Sequence, residues 1–304
     1  MPRPILATVD LDAMRHNLAV ARRHAAGRRV WAVVKANAYG HGLERALRGF
    51  ADADGLALLD LQEAARARAG GWRKPILLLE GFFAPADLPV VDELRLTSTI
   101  HHPAQVAMLR AYRPRAPVEV YVKVDTGMKR LGFAPAETAG VVEALTALPM
   151  VRVASLMTHF ANADRADADA GPASVADQLH RFDEACRGWP GARCVANSAA
   201  LLLHPQAGGD AVRPGIALYG STPMAGRAAA SFGLRPAMSL TARVLSVQPV
   251  ATGESVGYGS RWTATRPSRI GRRLFGFPRT MVERKRISQS AGKRESTCCL
   301  RVRT

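Results

Sequence analysis

One lysine in this sequence stands where a reactive amine would be expected. Lys35 directly follows the apolar residues 30–34 and opens the run Lys-Ala-Asn-Ala-Tyr-Gly-His-Gly, which is typical of a loop containing glycine. An amine at the end of a buried strand is poorly solvated, and this favours its neutral form. Such an amine can form a Schiff base with an aldehyde cofactor and can then act as a base. By position alone, an ordinary surface lysine is the stronger interpretation.

Four further polar side chains stand just after apolar, strand-like runs: Asp125, His159, Asn197 and Arg213. If those runs are parallel strands of one barrel, their carboxyl ends meet at one face, and the four residues lie beside Lys35. Taken singly, these residues have ordinary explanations. A lone histidine at a strand end is more often a satisfied core residue, and an arginine before a proline more often makes a surface ion pair.

The elements that must position these residues alternate along residues 1–220. Short β-type runs, from residues 5–9 to residues 211–218, are separated by helical patterns, and Asp10 is placed to cap the first of these at residues 11–24. About eight such repeats favour a closed α/β barrel over an open sheet, which usually has fewer units. We therefore predict a parallel (β/α)₈ TIM-type barrel over residues 1–230.

A different pattern begins after about Gly233. Residues 239–250 alternate apolar and polar side chains, a glycine turn follows, and residues 255–258 resume the alternation. This pattern indicates antiparallel strands, so residues 231–270 are predicted to form a partial, mainly-β C-terminal domain. From residue 271 the chain shows no strand period and is rich in Arg, Ser and Lys, which predicts an aberrant, disordered basic tail over residues 271–304.

Bulk properties restrict the classes of function. The 304 residues, 48% of them hydrophobic, are enough for a large core. The sequence shows neither a long apolar run nor a secretory signal, so we expect a cytoplasmic protein without membrane contact. The four cysteines lack metal or disulfide spacing, and no metal is expected. About half of the net charge of +17 lies in residues 271–304 and aromatic residues are few, so no nucleic-acid partner is expected.

The complete run at residues 33–42 resembles the cofactor-lysine motif of the alanine racemase family almost letter for letter. Five further blocks follow in the order and spacing of that family, at residues 122–132, 157–164, 197–200, 212–220 and 256–259. Chance agreement of six such blocks is negligible. The resemblance extends over roughly residues 3–271, and what it implies is an isomerase that depends on pyridoxal 5'-phosphate.

The resemblance implies interconversion of L-alanine and D-alanine, which supplies D-alanine for the cell wall or serves alanine catabolism. Lys35 would carry the cofactor and handle the α-proton on the D side. Tyr258 would handle it on the L side, reaching the site of the partner subunit in a head-to-tail homodimer. Racemisation needs opposed bases on the two faces of the α-carbon, so a Lys–Tyr pair is chemically sensible. Without the resemblance, Tyr258 between two glycines is more simply a turn aromatic.

The resemblance also assigns catalytic roles to Arg213 and His159. Arg213 would face the pyridine nitrogen of the cofactor, where a permanent positive charge disfavours protonation and so favours reprotonation of the α-carbon over transamination. His159 would link Arg213 to Tyr258. Arg130 would contact the phenolic oxygen of the cofactor and help to place the substrate carboxylate. Lys123 matches a lysine that is carbamylated in many members, and a carbamate there would hold Arg130 in position.

Binding of the cofactor phosphate needs convergent donors without bulk. The blocks assign this role to Tyr39, Ser198 and the backbone N–H groups of Gly215 and Ile216, and Asn197 joins them in the cofactor-binding set. Lys35, Arg130, His159 and Arg213 complete that set.

Family members normally continue past residue 271 with further strands, a Met-Asp element that binds the substrate carboxylate and a tyrosine of the substrate entry corridor. None of these follows here, which predicts a truncated or frame-shifted C-terminus and weak or lost activity. The alternatives to an active alanine racemase are a catalytically impaired cofactor-binding remnant, a racemase of broader specificity and a related barrel decarboxylase. Arg213 and the lysine run favour a racemase over the decarboxylases, whose pyridine partner is typically a carboxylate.

Overall fold

The computed structural model describes residues 5–165, 171, 173–273 and 297–300. These residues form two compact units, of which the larger comprises Asp10–Ala237. The second combines the first strand, β1 (Ile5–Val9), with the described residues from Met238 onward. No helix in the described ranges is both long enough and apolar enough to cross a membrane.

Eight parallel strands of the larger unit close into a barrel. Each strand pairs in parallel with the next along the chain, and the last returns to the first with Val212 opposite Val30. The strands are β2 (Arg29–Val33), β3 (Gly55–Leu58), β4 (Ile76–Leu78), β5 (Thr97–Ile100), β6 (Val118–Lys123), β7 (Val151–Met157), β8 (Ala192–Ala196) and β9 (Ala211–Val212). The predicted TIM-type barrel is therefore confirmed.

Helices alternate with these strands along the chain. The right-handed helices are α1 (Leu11–Ala25), α2 (Leu43–Gly49), α3 (Leu61–Ala69), α4 (Leu88–Glu93), α5 (Pro103–Ala111), α6 (Thr138–Thr146), α7 (Val175–Ala185) and α8 (Ser198–Leu203). The first begins at the predicted cap, where Asp10 Oδ1 accepts from the N–H groups of Asp12 and Ala13 at 2.9 and 3.0 Å. This cap satisfies amide donors that the first turn of a helix leaves free.

The interior of the barrel is packed with side chains. Trp31, Leu77, Tyr121, Met157 and Cys194 belong to one buried cluster contributed by different strands. Strands β3 and β4 are buried at every residue, as expected for parallel strands that are covered on both faces. A packed interior fixes the strand ends, so the residues that directly follow the strands have defined positions.

The smaller unit is built on the long strand β10 (Met238–Val250). A short hairpin follows, formed by β11 (Ser255–Val256) and β12 (Trp262–Thr263), and then the strands β13 (Ser268–Arg273) and β14 (Thr297–Leu300). Strand β10 pairs antiparallel with β1, β13 and β14. The prediction of a mainly-β C-terminal domain is confirmed by this pairing.

The prediction that residues 5–9 belong to the barrel is wrong. Strand β1 pairs antiparallel with β10, with Ile5 opposite Ala242 and Val9 opposite Met238. It is also largely exposed, and Leu6 retains 62% of its accessible surface. A five-residue apolar run fits a barrel strand and an edge strand equally well, so its sequence alone does not identify its partner.

The predicted start of the disordered tail at residue 271 is also too early. Residues 271–273 continue strand β13, and residues 297–300 form strand β14, both against β10. Strand pairing uses main-chain groups, so these residues can pair without an alternating side-chain pattern. The remainder of the predicted tail, residues 274–296 and 301–304, lies outside the described residues.

Candidate active site

The parallel barrel gathers the predicted site residues at the carboxyl ends of its strands. Lys35 and His159 lie two residues beyond the ends of β2 and β7. Lys123 is the last residue of β6, while Asn197 and Arg213 directly follow β8 and β9. Because all eight strands run in the same direction, these residues share one face of the barrel.

A left-handed turn follows Lys35. The four residues Ala36, Asn37, Ala38 and Tyr39 all have positive φ, between 52° and 56°. Each such residue is disfavoured by about 1–2 kcal/mol, because its Cβ crowds the following carbonyl oxygen. The turn is held by hydrogen bonds on Asn37, whose N–H donates to Glu63 Oε1 at 2.5 Å and whose Oδ1 accepts from Leu43 N–H at 3.0 Å. Sequence inspection predicted a glycine-containing loop here and missed this turn.

Because Ala36 is exposed with φ of 54°, its replacement tests the strain of the turn directly. We expect Ala36→Val to lower the free energy of unfolding by about 1–2 kcal/mol, since a branched Cβ is least tolerated in this region. Ala36→Gly should leave stability nearly unchanged, because relief of strain offsets the greater entropy of the unfolded chain. Urea unfolding measures both.

The control for this comparison is Ala19→Val, an exposed alanine within the right-handed helix α1. There the substitution should cost at most about 0.7 kcal/mol, the ordinary difference in helix propensity. Equal losses at positions 36 and 19 would show that the left-handed turn carries no additional strain.

Arg213 is a buried cation with well-defined partners. Its side chain is almost inaccessible, at 3% exposure. Nη1 donates to Cys194 O at 2.7 Å and to Cys194 Sγ at 2.9 Å, while Nη2 donates to the carbonyl oxygens of Thr158 and Val195. All of these acceptors are neutral, so the described residues supply hydrogen bonds to Arg213 but no contacting carboxylate. The guanidinium contacts the main chain of Thr158 rather than the ring of His159.

The imidazole of His159 lies in a strongly positive environment. Burial, together with the positive charges of Arg213, Arg130, Lys123 and Lys35, lowers the pKa of His159 to about 2. The ring therefore stays neutral at physiological pH. It can donate or accept a hydrogen bond, but it adds no charge to the site.

Lys123 is buried in the same cluster, with 6% exposure. Burial lowers its pKa to about 8, assisted by the charges of Arg213, Arg130 and Lys35, while the charge of Glu80 acts in the opposite direction. At neutral pH about a tenth of such amines are uncharged and nucleophilic. Sequence inspection did not identify Glu80, whose position at the end of a barrel strand is the signal that it overlooked.

Arg130 and Asp125 lie in the loop after β6. Asp125 Oδ1 accepts from the N–H of Lys129 at 3.0 Å, so this carboxylate stabilises the loop. Arg130 is exposed and lines a narrow cleft together with Lys123 and His159. The cleft thus combines an exposed guanidinium, a buried amine and a neutral imidazole.

A group of small and polar residues lies beside the left-handed turn. Ser198 Oγ accepts from the N–H groups of Gly215 and Ala217 at 2.8 and 3.3 Å. A Cβ at position 215 would lie 2.5 Å from Tyr39 Oη, so any larger residue there would require the Tyr39 ring to move. Tyr39 also packs on Tyr219, at 4.9 Å between ring centroids, and sequence inspection did not identify this contact.

The other two predicted phosphate-side residues occupy starts of helical segments. Asn197 caps α8, since its Oδ1 accepts from the N–H of Ala200 at 2.9 Å. Ile216 opens the short 3₁₀ turn Ile216–Tyr219. Amide groups at the start of a helical segment favour a nearby anion.

Tyr258 belongs to the smaller unit. It lies in the turn Tyr258–Ser260 between Gly257 and Gly259, which have φ values of 77° and 72°. Its side chain is fully exposed, at 102%. A glycine-flanked turn with an unburied aromatic ring leaves the hydroxyl group available to another molecule.

Comparisons with known proteins agree over both units. Residues 9–223 match the family model "Alanine racemase, N-terminal domain", and residues 237–291 match "Alanine racemase, C-terminal domain". The second match continues beyond residue 271, where the resemblance was predicted to end. Among the residues that the structure describes, no cluster of histidine, cysteine or carboxylate side chains could hold a metal ion.

Relatives and solved structures give the same result. The alanine racemase of Janthinobacterium sp. (strain Marseille) is 52% identical over 277 residues, covering 91% of this chain and 76% of the relative. That of Ralstonia nicotianae is 50% identical over 279 residues, covering 91% and 72%. The biosynthetic alanine racemase from Pseudomonas aeruginosa superimposes with a TM-score of 0.82 at 46% identity, covering 89% of this chain and 75% of that structure. The chain belongs to the alanine racemase family and is an isomerase.

Proposed function

We propose that this chain racemises alanine with pyridoxal 5'-phosphate bound at the carboxyl face of the barrel. The observation that carries the proposal is the gathering of Lys35, Lys123, Arg130 and Arg213 around His159. Such an excess of positive charge in a partly buried site favours anionic ligands. The phosphate and phenolate groups of the cofactor and the carboxylate of alanine are anions of this kind.

The residues present fit this cofactor. Lys35 Nζ would attach it covalently, and the hydroxyl groups of Tyr39 and Ser198, with the backbone N–H groups of Gly215 and Ile216, would hold its phosphate. Because residue 215 is glycine, the Tyr39 hydroxyl can lie close to its backbone, where a Cβ would be only 2.5 Å from Tyr39 Oη. When bound, the cofactor supplies an electron sink that makes the α-proton of the amino acid acidic.

The buried guanidinium of Arg213 limits how far that electron sink operates. Since it is permanently charged and held by four hydrogen bonds to neutral atoms, it opposes a second positive charge beside it. A pyridine nitrogen facing it would stay unprotonated. This favours return of a proton to the α-carbon over transamination.

Two bases on opposite sides of the α-carbon complete the proposed mechanism. Lys35 Nζ takes or returns the proton on the D side. Tyr258 of the partner subunit does so on the L side, in a head-to-tail homodimer, and the full exposure of the Tyr258 ring supports this arrangement. His159 stays neutral and orients the tyrosine hydroxyl, and the carbonyl oxygen of the preceding residue, Thr158, accepts from Arg213. Arg130 positions the substrate carboxylate and the phenolic oxygen of the cofactor.

Lys123 is proposed to be carbamylated. Its neutral amine would add to the carbon of CO₂ and lose a proton, giving an N-carboxylate that replaces a positive charge by a negative one. A pKa lowered to about 8 by burial and neighbouring cations makes the reactive amine available at physiological pH. The new negative charge would hold Arg130 in position.

Without CO₂, the buried charge of Lys123 should destabilise the protein. We expect Lys123→Met to raise the free energy of unfolding at pH 7 by about 1–3 kcal/mol in CO₂-free buffer. The folded-state pKa of about 8 lies below the ordinary 10.5, so between these values the unfolded chain binds a proton that the folded chain lacks. Stability of the unchanged protein should therefore rise with pH across this window, as urea unfolding can measure.

Lys129→Met provides the matched control, because Lys129 is 78% exposed and lies in the loop that follows Lys123. Lys129→Met should change the free energy of unfolding little, both at pH 7 and between the two pKa values of Lys123. A loss of stability in Lys123→Met at pH 7, or an unchanged pH slope in that variant, would contradict the proposed cost of the buried amine.

The proposed function is tested by adding pyridoxal phosphate and L-alanine to the purified chain and measuring D-alanine with a stereospecific oxidase. Parallel assays with L-serine and L-lysine define substrate breadth. Cofactor binding without D-alanine would identify a catalytically impaired remnant, and preference for the larger substrates would identify a racemase of broader specificity. A chain that neither binds the cofactor nor forms D-alanine would refute the proposal.

A further inference from the structure

One buried amide side chain joins two loops at the carboxyl face of the barrel. Gln178 projects from α7 and is completely inaccessible to solvent, at 0% exposure. Its Nε2 donates to Thr126 Oγ1 at 3.1 Å and to His159 O at 3.3 Å, and its Oε1 accepts from the N–H of Ala161 at 2.9 Å. Gln178 therefore ties the loop after β6 to the loop after β7.

The hydroxyl groups next to Gln178 define the direction of these hydrogen bonds. Thr158 Oγ1 donates its single proton to Val124 O at 2.9 Å. Thr126 Oγ1, at 2.8 Å from Thr158 Oγ1, must then be the donor in that pair. Thr126 can accept from Gln178 in turn, so position 178 needs an N–H donor directed at Thr126.

This chain of hydrogen bonds reaches the site. The carbonyl oxygen of Thr158 accepts from Arg213 Nη2, and the next residue is His159. We propose that Gln178 is a positioning residue that fixes the main chain of residues 158–161, and with it the ring of His159 and an acceptor of Arg213. The catalytic consequence of this inference rests on the proposed function of His159 and Arg213.

A second glutamine provides a matched comparison. Gln105 on α5 is also buried, at 4% exposure, and ties the loops after β4 and β5. Its Nε2 donates to Glu80 O and Phe82 O at 3.2 and 2.9 Å, and its Oε1 accepts from His101 N–H at 2.8 Å. Gln105 thus makes the same kind of contacts but touches neither His159 nor its loop.

The experiment compares Gln178→Met with Gln105→Met in the full chain. The first measurement is the pH titration of the His159 ring by NMR, on cofactor-free protein labelled with ¹⁵N-histidine. In the unchanged protein and in Gln105→Met the ring should stay neutral from acid to alkaline pH. In Gln178→Met the loosened loop should admit water to the ring, so that its pKa rises although Arg213, Arg130, Lys123 and Lys35 still face it.

The second measurement is kcat with the cofactor bound. Gln178→Met should lower kcat about tenfold to a hundredfold more than Gln105→Met at a comparable loss of thermal stability, because small displacements of catalytic groups are costly. Equal losses in both variants, with an unchanged His159 titration, would overturn the inference. A changed titration with unchanged kcat would uphold the positioning role and refute the proposed catalytic role of His159.

If Gln178→Met does not fold, Gln178→Glu answers the same question with nearly conserved volume. Its carboxylate lacks the required donor, and only the protonated carboxyl group can donate to Thr126 or His159 O. Folding therefore raises the pKa of the carboxyl group at position 178. The free energy of unfolding of this variant should be highest at low pH and should fall as the pH rises. If the free energy of unfolding of Gln178→Glu depended on pH no more than that of the unchanged protein, the inference would be overturned.

Discussion

Lys35→Ala should abolish alanine racemisation, lowering kcat/KM by about 10⁴-fold or more. The substitution removes both the amine that would attach the cofactor and the base on the D side, and a positioned base alone contributes about 10²–10⁴-fold. Formation of D-alanine from L-alanine measures the loss. Equilibrium dialysis measures the cofactor, which should leave the variant because its covalent attachment is gone.

Lys129→Ala serves as the control for Lys35→Ala. It removes a lysine from the same face of the barrel, but one that is 78% exposed and pairs with Asp125. Activity should remain within a few-fold of the unchanged protein, since surface ion pairs contribute little. If Lys35→Ala still retained the cofactor through dialysis and racemised alanine at a comparable rate, another amine would have to carry the reaction.

Much of the architecture could be predicted from the sequence, because strand ends in a parallel barrel converge whatever their loops do. Lys35, His159 and Arg213 each follow an apolar run, and this position alone predicts that they share one face of the barrel. The prediction for strand β1 was wrong because this strand does not belong to the barrel. Its residues fit either kind of strand, and only the pairing with β10 distinguishes them.

The local chemistry of the site was less accessible from the sequence. Asparagine tolerates positive φ but alanine does not, so the types of Ala36 and Ala38 give no indication of the left-handed turn that Asn37 holds through its hydrogen bonds. The contact of Cys194 with Arg213 joins adjacent strands and depends on how their ends are aligned. The pKa of Lys123 depends on charges brought together by folding, with burial as the main cause.

The positive charges of Lys123, Arg130 and Arg213 affect both the stability of the protein and its proposed binding of anions. Burial and the positive charges of Arg213 and Arg130 lower the pKa of Lys123, so these three cations repel one another. Phosphate, substrate carboxylate and a carbamate on Lys123 would each reduce this repulsion. We therefore expect a bound anion to raise the free energy of unfolding, because it relieves repulsion that the folded chain already bears.

Tyr258→Phe should stop proton transfer on the L side while leaving the fold intact. The ring is fully exposed, so loss of its hydroxyl should not change the free energy of unfolding measurably. Racemisation should fall by about 10²–10⁴-fold, the contribution of one positioned acid–base group. In deuterated water the α-proton of D-alanine should still exchange, because Lys35 acts on that side, whereas exchange from L-alanine should be lost.

Mixing Tyr258→Phe with Lys35→Ala chains tests whether Tyr258 acts in the partner's site. In a mixed dimer with crossed tyrosines, one site has both substitutions and the other combines an intact Lys35 with an intact Tyr258 of the partner subunit. Co-expression of the two inactive variants should therefore restore about a quarter of the activity, since half of the dimers are mixed and each has one complete site. If each Tyr258 served its own chain, every site would carry one substitution and no activity would return.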